Sequence, residues 1–169
     1  MNASQAMSVH GEMGENAALW LADRAQPCSR IVEIGSLQGR SALAMLSNPN
    51  THLWCVDVWE DESNYTKFLS NTEEYQDRLT VLRMPSHQGA TLLLDRHGKG
   101  SFDMVFIDGG HDYETVKGDI LGYRPLVREG GILCGHDYSG KYHPEVKRAV
   151  DELVDSPNRG AGCIWWVAV

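Results

Sequence analysis

The sequence predicts an α/β fold, a three-layer sandwich in which a mainly parallel sheet lies between helices. Three observations predict it. Apolar strand-like runs alternate with amphipathic helix-like runs from end to end, and strands separated by helices need crossovers, which make neighbours parallel. At 169 residues and 42% hydrophobic content the chain suits one domain, residues 1–169, with a substantial core. One strand–turn–helix, Ile31-Val32-Glu33-Ile34-Gly35-Ser36-Leu37-Gln38-Gly39-Arg40-Ser41, bends through two glycines at a helix N-terminus, where a ligand can touch bare backbone.

Each element follows in order. Residues 1–29 form an N-terminal helical segment, with Met13, Ala17, Leu19, Trp20 and Leu21 marking a helix over 13–25. Residues 30–35 make the first strand and 39–47 the helix after it. His52-Leu53-Trp54-Cys55-Val56-Asp57 is the second strand, and 63–77 a polar helix or loop. Arg78 to Arg83 holds a short third strand, and 87–96 a helix with Leu92, Leu93 and Leu94. Phe102 to Asp108 is the fourth strand, and 113–124 a helix stopped near Pro125. Gly131 to Gly135 is the fifth strand. Residues 144–154 form a helix with Pro144 at its start and Val146, Ala149, Val150, Leu153 and Val154 on one side. Ile164 to Val169 is a last strand.

Composition excludes several classes. No apolar run approaches the roughly 20 residues that cross a bilayer. Met1 to His10 lacks a basic region followed by an apolar stretch, so a cytoplasmic protein with no membrane partner is expected. Cys28, Cys55, Cys134 and Cys163 are far apart and form no Cys-x-x-Cys pair, which reads as reduced, buried thiols. Net charge is −8 with Lys and Arg scattered, which argues against nucleic acid as a partner.

In parallel sheets of this kind ligands sit beyond the carboxyl ends of the strands. Four strands end there in polar or glycine groups: Glu33 and Gly35, Asp57, Asp108, and His136 with Asp137. The loop spacing is Glu-x-Gly-x-x-x-Gly. A dinucleotide fingerprint is Gly-x-Gly-x-x-Gly, and here Ser36 and Leu37 crowd the place of its middle glycine. A ligand without a phosphate suits this loop better than an NAD-type dinucleotide. Asp57, twenty-two residues after Gly35, can accept ribose hydroxyls, or it is a solvated acid beside Glu60, Asp61 and Glu62.

With these residues in view, the chain resembles class I S-adenosylmethionine (SAM)-dependent methyltransferases, most closely small O-methyltransferases of the macrocin and catechol type. Three stretches carry the resemblance: Val32 to Ser41, Phe102 to Tyr113, and Gly130-Gly131-Ile132-Leu133-Cys134-Gly135-His136-Asp137-Tyr138. It implies a Rossmann-like sheet of order 3-2-1-4-5 plus the C-terminal strand, SAM as cofactor, and a small-molecule methyl acceptor. Two departures stand out. The family keeps an acidic pair after the fifth strand where this chain has His136-Asp137. The family also adds a strand pair at the C-terminus where one clear strand remains, leaving six or seven strands open.

The resemblance places Glu33, Gly35, Ser36, Gly39, Ser41 and Asp57 against SAM, with the methionine end over Gly35 and Gly39. Ser86 and His87 face the adenine, although Ser86 is equally a helix N-cap. Asp108 is a metal ligand, a cofactor-side acid or a helix cap. With His136 and Asp137 it can hold one divalent ion. Magnesium prefers oxygen ligands, and a directly bound His136 shifts the preference toward manganese, iron or another transition metal. Alternatively His136 acts from behind, or no metal binds. His111 stands where catechol-type enzymes carry their basic lysine, and an imidazole can take a proton at neutral pH. It is otherwise a helix-start histidine bonded to backbone or Asp112. Tyr113, Tyr138, Tyr142 and His143 could line a substrate mouth. Trp54 and Trp165 read as core, and Trp59 as a pocket wall. The competing classes are an NAD-type oxidoreductase and a SAM-binding protein without catalysis. A nucleic-acid methyltransferase would show an Asn/Asp-Pro-Pro-Tyr/Phe stretch, which is absent. The apolar end, Cys163 to Val169, could be an edge strand that pairs two subunits into a homodimer.

Overall fold

In the computed structural model, which describes residues 3–169, seven strands join in one sheet. They are β1 (Arg30–Ile34), β2 (His52–Asp57), β3 (Leu79–Arg83), β4 (Phe102–Ile107), β5 (Val127–Gly135), β6 (Asn158–Arg159) and β7 (Trp165–Ala168), in the order β3-β2-β1-β4-β5-β7-β6. The first five are parallel, and β7 runs antiparallel between β5 and β6. The expected order is present, and the open count resolves to seven.

Helices cover both faces: α1 (Ala3–Ser8), α2 (Glu15–Ala25) and α3 (Arg40–Leu46) on one side, and α5 (Ser86–His97), α6 (Tyr113–Tyr123) and α7 (Pro144–Leu153) on the other. Residues 63–77, read as polar helix or loop, become α4 (Glu62–Asn71) followed by a 3-10 turn over Glu73–Arg78. Successive strand side chains point to opposite faces, so the two cores alternate along each strand. Ile31, Leu53, Cys55, Met104 and Phe106 face the first layer, while Val32, Trp54, Val56, Val105 and Ile107 face the second. Trp54 packs edge-on against Phe102 at 5.0 Å, and Trp165 is fully buried, so both are core. The cysteines are all free; Cys163 alone is partly exposed, against the expectation that all four are buried.

Two readings need correction. β5 begins four residues earlier than Gly131, at Val127, because Arg128, Glu129 and Gly130 are exposed beside an irregularity opposite Phe102–Met104 and carry no apolar pattern. β6 is two exposed polar residues, which no periodicity reveals. It pairs Asn158 with Trp166 and Arg159 with Trp165, so β7 is not a free edge, and the pairing argument for a homodimer loses its basis. No helix among the described residues is long and apolar enough to cross a membrane.

Three backbone hydrogen bonds hold the carboxyl ends of the central strands level. Gly35 N–H donates to Val56 O at 2.9 Å, Asp108 N–H to Ile34 O at 2.8 Å, and His136 N–H to Ile107 O at 3.0 Å. Gly35, Asp57, Asp108 and His136 therefore arrive at one edge of the sheet. The Arg40 guanidinium donates to the carbonyls of Val9, at 2.6 and 2.8 Å, and of Met13, at 2.5 Å, which folds the stretch between α1 and α2 over that edge.

Candidate active site

A cavity of about 930 Å³ opens at this edge. Its floor is the β1 loop, and its walls come from residues 10–13, the end of β2, residues 84–87, the turn after β4, α6, and His136-Asp137. Gly35, Ser36, Ser41, Asp57, Ser86, His87, Asp108, His111, His136 and Asp137 all line it. Glu33 and Gly39 do not.

The loop after β1 is fastened from below. Glu33 is fully buried. Its Oε2 accepts from Ser36 Oγ at 2.6 Å and from Cys55 Sγ at 3.3 Å, and Oε1 has no hydrogen-bond partner among the described residues. Burial pushes its carboxyl up to about 7, with the Ser36, Ser41 and Cys55 side chains pulling it back and the Asp57 charge adding to the rise. Asp57 Oδ2 accepts from the N–H groups of Ser36 at 2.8 Å and Leu37 at 3.0 Å, and Oδ1 from Trp59 N–H at 2.8 Å.

The glycines have a different physical origin from the one the sequence suggests. At Gly35, with φ +82°, a Cβ would stand 2.1 Å from the carbonyl oxygen of Asp108. The bare Cα is demanded by the β4 turn passing beneath, whatever lies above. Gly39, with φ +96°, faces away from the cavity, where a Cβ would press on Thr72 and Phe68.

Opposite the loop is a histidine–aspartate cluster. Asp137, in the left-handed region at φ 60°, has three imidazoles around its carboxylate. His111 Nε2 lies 2.8 Å from Oδ2, while His136 Nδ1 and His143 Nε2 lie 3.1 and 3.4 Å from Oδ1. The His111 and His143 rings lie against each other at a 37° tilt with centroids 4.6 Å apart. His136 Nδ1 also lies 3.7 Å from Asp108 Oδ1. Burial pushes Asp108 up to about 7, against the charge of His136 and with those of Asp137, Glu33 and Glu12. For Asp137 burial works upward too, but the hydrogen bond to His136 and the charges of His136, His143 and His111 hold it below the usual carboxylate range. Burial works downward on His136, and its hydrogen bond to Asp137, with the charges of Asp108, Asp137 and Glu12, raises it overall.

Several expectations change here. Asp112 caps α6, accepting from Thr115 N–H at 3.0 Å and Thr115 Oγ at 2.6 Å, so it is not the partner of His111. Asp108 is not that cap. Ser86 is the first residue of α5 and makes no side-chain cap; Pro85 holds the N-cap position. Trp59 is not a pocket wall. It is 2% exposed, donates Nε1–H to Leu37 O at 2.7 Å, and packs against Tyr65 and Phe68 behind the loop. None of the three tyrosines considered for the mouth lines the cavity: Tyr113 and Tyr138 donate to Glu152 and Asp151 on α7, and Tyr142 is 69% exposed. Two residues escape sequence reasoning: Glu12 comes from an unpatterned stretch, and Asp119 is one of two acids on its helix. His143, considered for the mouth, does not line the cavity and stands instead 3.4 Å from Asp137.

Asp108, His136 and Asp137 offer ligand atoms within 4.8 Å of one another, one nitrogen and two oxygens, all on the cavity wall. That donor set fits a divalent cation.

The comparisons agree with this architecture. A family described as "Methyltransferase domain" matches residues 32–138, well over half of the chain. Protein R132 of Acanthamoeba polyphaga mimivirus is 30% identical over 129 residues, 73% of this chain and 58% of that protein. The chain spans less than two thirds of that relative and 15% of another, y4gI of Sinorhizobium fredii. Among solved structures, cofactor-bound Rv0187 from MTB shares the fold at TM-score 0.75 and 18% identity, covering 99% of this chain and 86% of its own. The O-methyltransferase from Bacillus cereus in complex with SAH follows at TM-score 0.73 and 16% identity, covering 99% and 87%. With the family match spanning the loop after β1, the turn after β4 and the end of β5, this chain belongs to the methyltransferase-domain family.

Proposed function

We propose that this protein transfers a methyl group from SAM to a hydroxyl oxygen of a small molecule. The observation that carries this reading is the cavity itself, which sets His111, oriented by Asp137 at 2.8 Å, beside Asp108 and across from the β1 loop.

The loop favours SAM over a dinucleotide. The Ser36 and Leu37 amides, which would cradle a diphosphate, already donate to Asp57. That carboxylate would also repel phosphate. Asp57 has about four acceptor sites and three are used, so it keeps one for a ribose hydroxyl, and Glu60 on the same wall can take the second. The methionine end then lies over Gly35, and the sulfonium faces the histidine cluster. The acceptor enters from the side of residues 10–13.

The reaction is a direct displacement. The acceptor oxygen forms a bond to the methyl carbon, the carbon–sulfur bond breaks, and the electron pair stays on sulfur as a thioether. The acceptor proton passes to His111 Nδ1, because Nε2–H is already donated to the Asp137 carboxylate. Asp137 stabilises the imidazolium that results, as a carboxylate beside a histidine base does. Alignment of oxygen and methyl supplies roughly 7–11 kcal/mol of the barrier. A divalent ion held by Asp108, His136 and Asp137 would polarise the acceptor hydroxyl and lower its pKa.

Calorimetric titration with SAM, SAH and NAD side by side, followed by assay of SAH release with hydroxyl acceptors, tests this. Saturable SAM binding with acceptor-dependent SAH release is expected. Saturation by NAD without binding of SAM or SAH would overturn it.

A further inference from the structure

We propose that His111, Asp137 and His143 form a second cation site, fitted to zinc, and that an ion held there switches off methyl transfer by occupying His111. The site stands on its geometry; its effect on the reaction rests on the methyl-transfer reading above.

Each of the three residues presents a ligand atom, and the three atoms lie within 4.8 Å of one another. His111 Nε2 is 2.8 Å from Asp137 Oδ2, and His143 Nε2 is 3.4 Å from Oδ1. Around a tetrahedral ion with bonds of about 2.0–2.2 Å, neighbouring ligand atoms stand about 3.3–3.5 Å apart, so small ring movements bring these atoms around zinc. The set differs from Asp108, His136 and Asp137, which offers one nitrogen and two oxygens. Two imidazoles and one carboxylate leave a fourth position open, and that composition suits zinc better than magnesium.

The fold builds this arrangement with backbone alone. His143 N–H donates to Ser139 O at 3.0 Å, and the His143 carbonyl accepts from Lys147 N–H at 3.1 Å. The turn over 139–143 is thereby closed, and the His143 side chain makes no cap on α7. Its ring lies instead against Asp137 and His111. Asp137 pairs with no Lys or Arg among the described residues; its ion-pair partners are His111, His136 and His143. Lys147, one turn along α7, is held by Asp151. No resident ammonium or guanidinium therefore stands where an added cation would. The cluster is also open to solvent, with the His111 side chain 47% and the His143 side chain 29% exposed. A hydrated ion can reach it from outside the cavity.

The consequence for the reaction follows from the two nitrogens of one ring. With zinc on Nε2, a neutral imidazole carries its single proton on Nδ1. The ring loses no proton; it moves from one nitrogen to the other through solvent. Nδ1 is the atom that takes the acceptor's proton in the proposed reaction, so the ion and the proton transfer exclude one another.

The test is calorimetry with zinc chloride alone on the unaltered protein, His143→Ala and Asp108→Asn. The unaltered protein should bind zinc saturably, and His143→Ala should weaken that binding at least about tenfold, since even loss of a residue behind a ligand costs that much. Asp108→Asn should keep it. No saturable binding, equal affinity in His143→Ala, or a loss confined to Asp108→Asn would overturn the site. Should His143→Ala fail to fold, anomalous diffraction at the zinc edge from crystals of the unaltered protein decides: a peak between His111 and His143 supports the site, and its absence there overturns it. In the assay of SAH release with magnesium in excess, zinc should inhibit the unaltered protein, and His143→Ala should need about tenfold more zinc for the same inhibition. Zinc bound through His143 without inhibition would overturn the switch. If no hydroxyl acceptor gives SAH release in the absence of zinc, the methyl-transfer reading falls, while the zinc titration still judges the site.

Discussion

In the proposed reaction His111 and Asp137 make the chemical pair of this site, and each depends on the other. Asp137 lies below the usual carboxylate range despite its burial, because His136, His143 and His111 surround it with positive character. An ionised Asp137 in turn fixes the His111 ring through Nε2 at 2.8 Å. His111→Ala should therefore lower turnover by about 10²–10⁴ while SAM affinity, measured by calorimetry, changes little. Unchanged turnover would remove the base. Asp119 gives the pH prediction at this scale. Burial lifts its carboxyl from 3.8 to about 6. Between those values the folded state binds more protons than the unfolded state, so stability falls as pH rises through that window and is lower at pH 7 than at pH 4. Asp119→Asn removes the charge, and its melting temperature at pH 7 should exceed that of the unaltered protein. The gain, at most about 3 kcal/mol, should shrink as pH falls below 6 and disappear below about 3.8, where Asp119 is protonated in both states. A gain independent of pH would contradict the cause assigned to the shift.

At the scale of elements, the turn after β1 and the turn after β4 are packed into one another. Gly35 is the contact point, with the Asp108 carbonyl where its Cβ would be. Gly35→Ala must push the β4 turn away or strain a left-handed residue, and either moves Asp108 off the cavity wall. A loss of about 2–4 kcal/mol in denaturant unfolding is expected, with SAM binding lost by calorimetry. Retention of both would show that the turns can part without consequence. The helices divide labour in a similar way. α3 is hydrophobic all round and buried from Ser41 to Leu46, while its first residue, Arg40, reaches out to hold the residue 9–13 stretch over the site.

At the scale of the whole molecule, one sheet edge gathers ligand atoms from β4 and β5, which are brought together by their register, Ile107 opposite Gly135. A divalent ion bound there links two strands in the folded state alone, so mass action should raise the melting temperature. With an imidazole among the donors, manganese should raise it more than magnesium, and excess chelator should reverse the rise and abolish methyl transfer. Asp108→Asn should remove the response to the metal. Full activity in chelator would exclude the ion from the reaction.

Much of this fold is legible in the chain, because parallel strands buried on both faces must be continuously apolar and the helices between them must show one apolar side. The runs at Ile31, Leu53, Met104 and Leu133 could be little else. The polar groups that end them, Asp57, Asp108 and His136-Asp137, share an edge for the same topological reason. What the chain alone did not disclose depends on contacts across the sheet. β6 carries no apolar period, since two exposed residues bury nothing. The requirement for Gly35 comes from a carbonyl seventy-three residues away, at Asp108. Asp119 looks like an ordinary helix acid until α6 packs its side chain into the cavity. Sequence periodicity records which surface must leave water; which polar atom then meets which ligand is decided only when distant segments close around the same space.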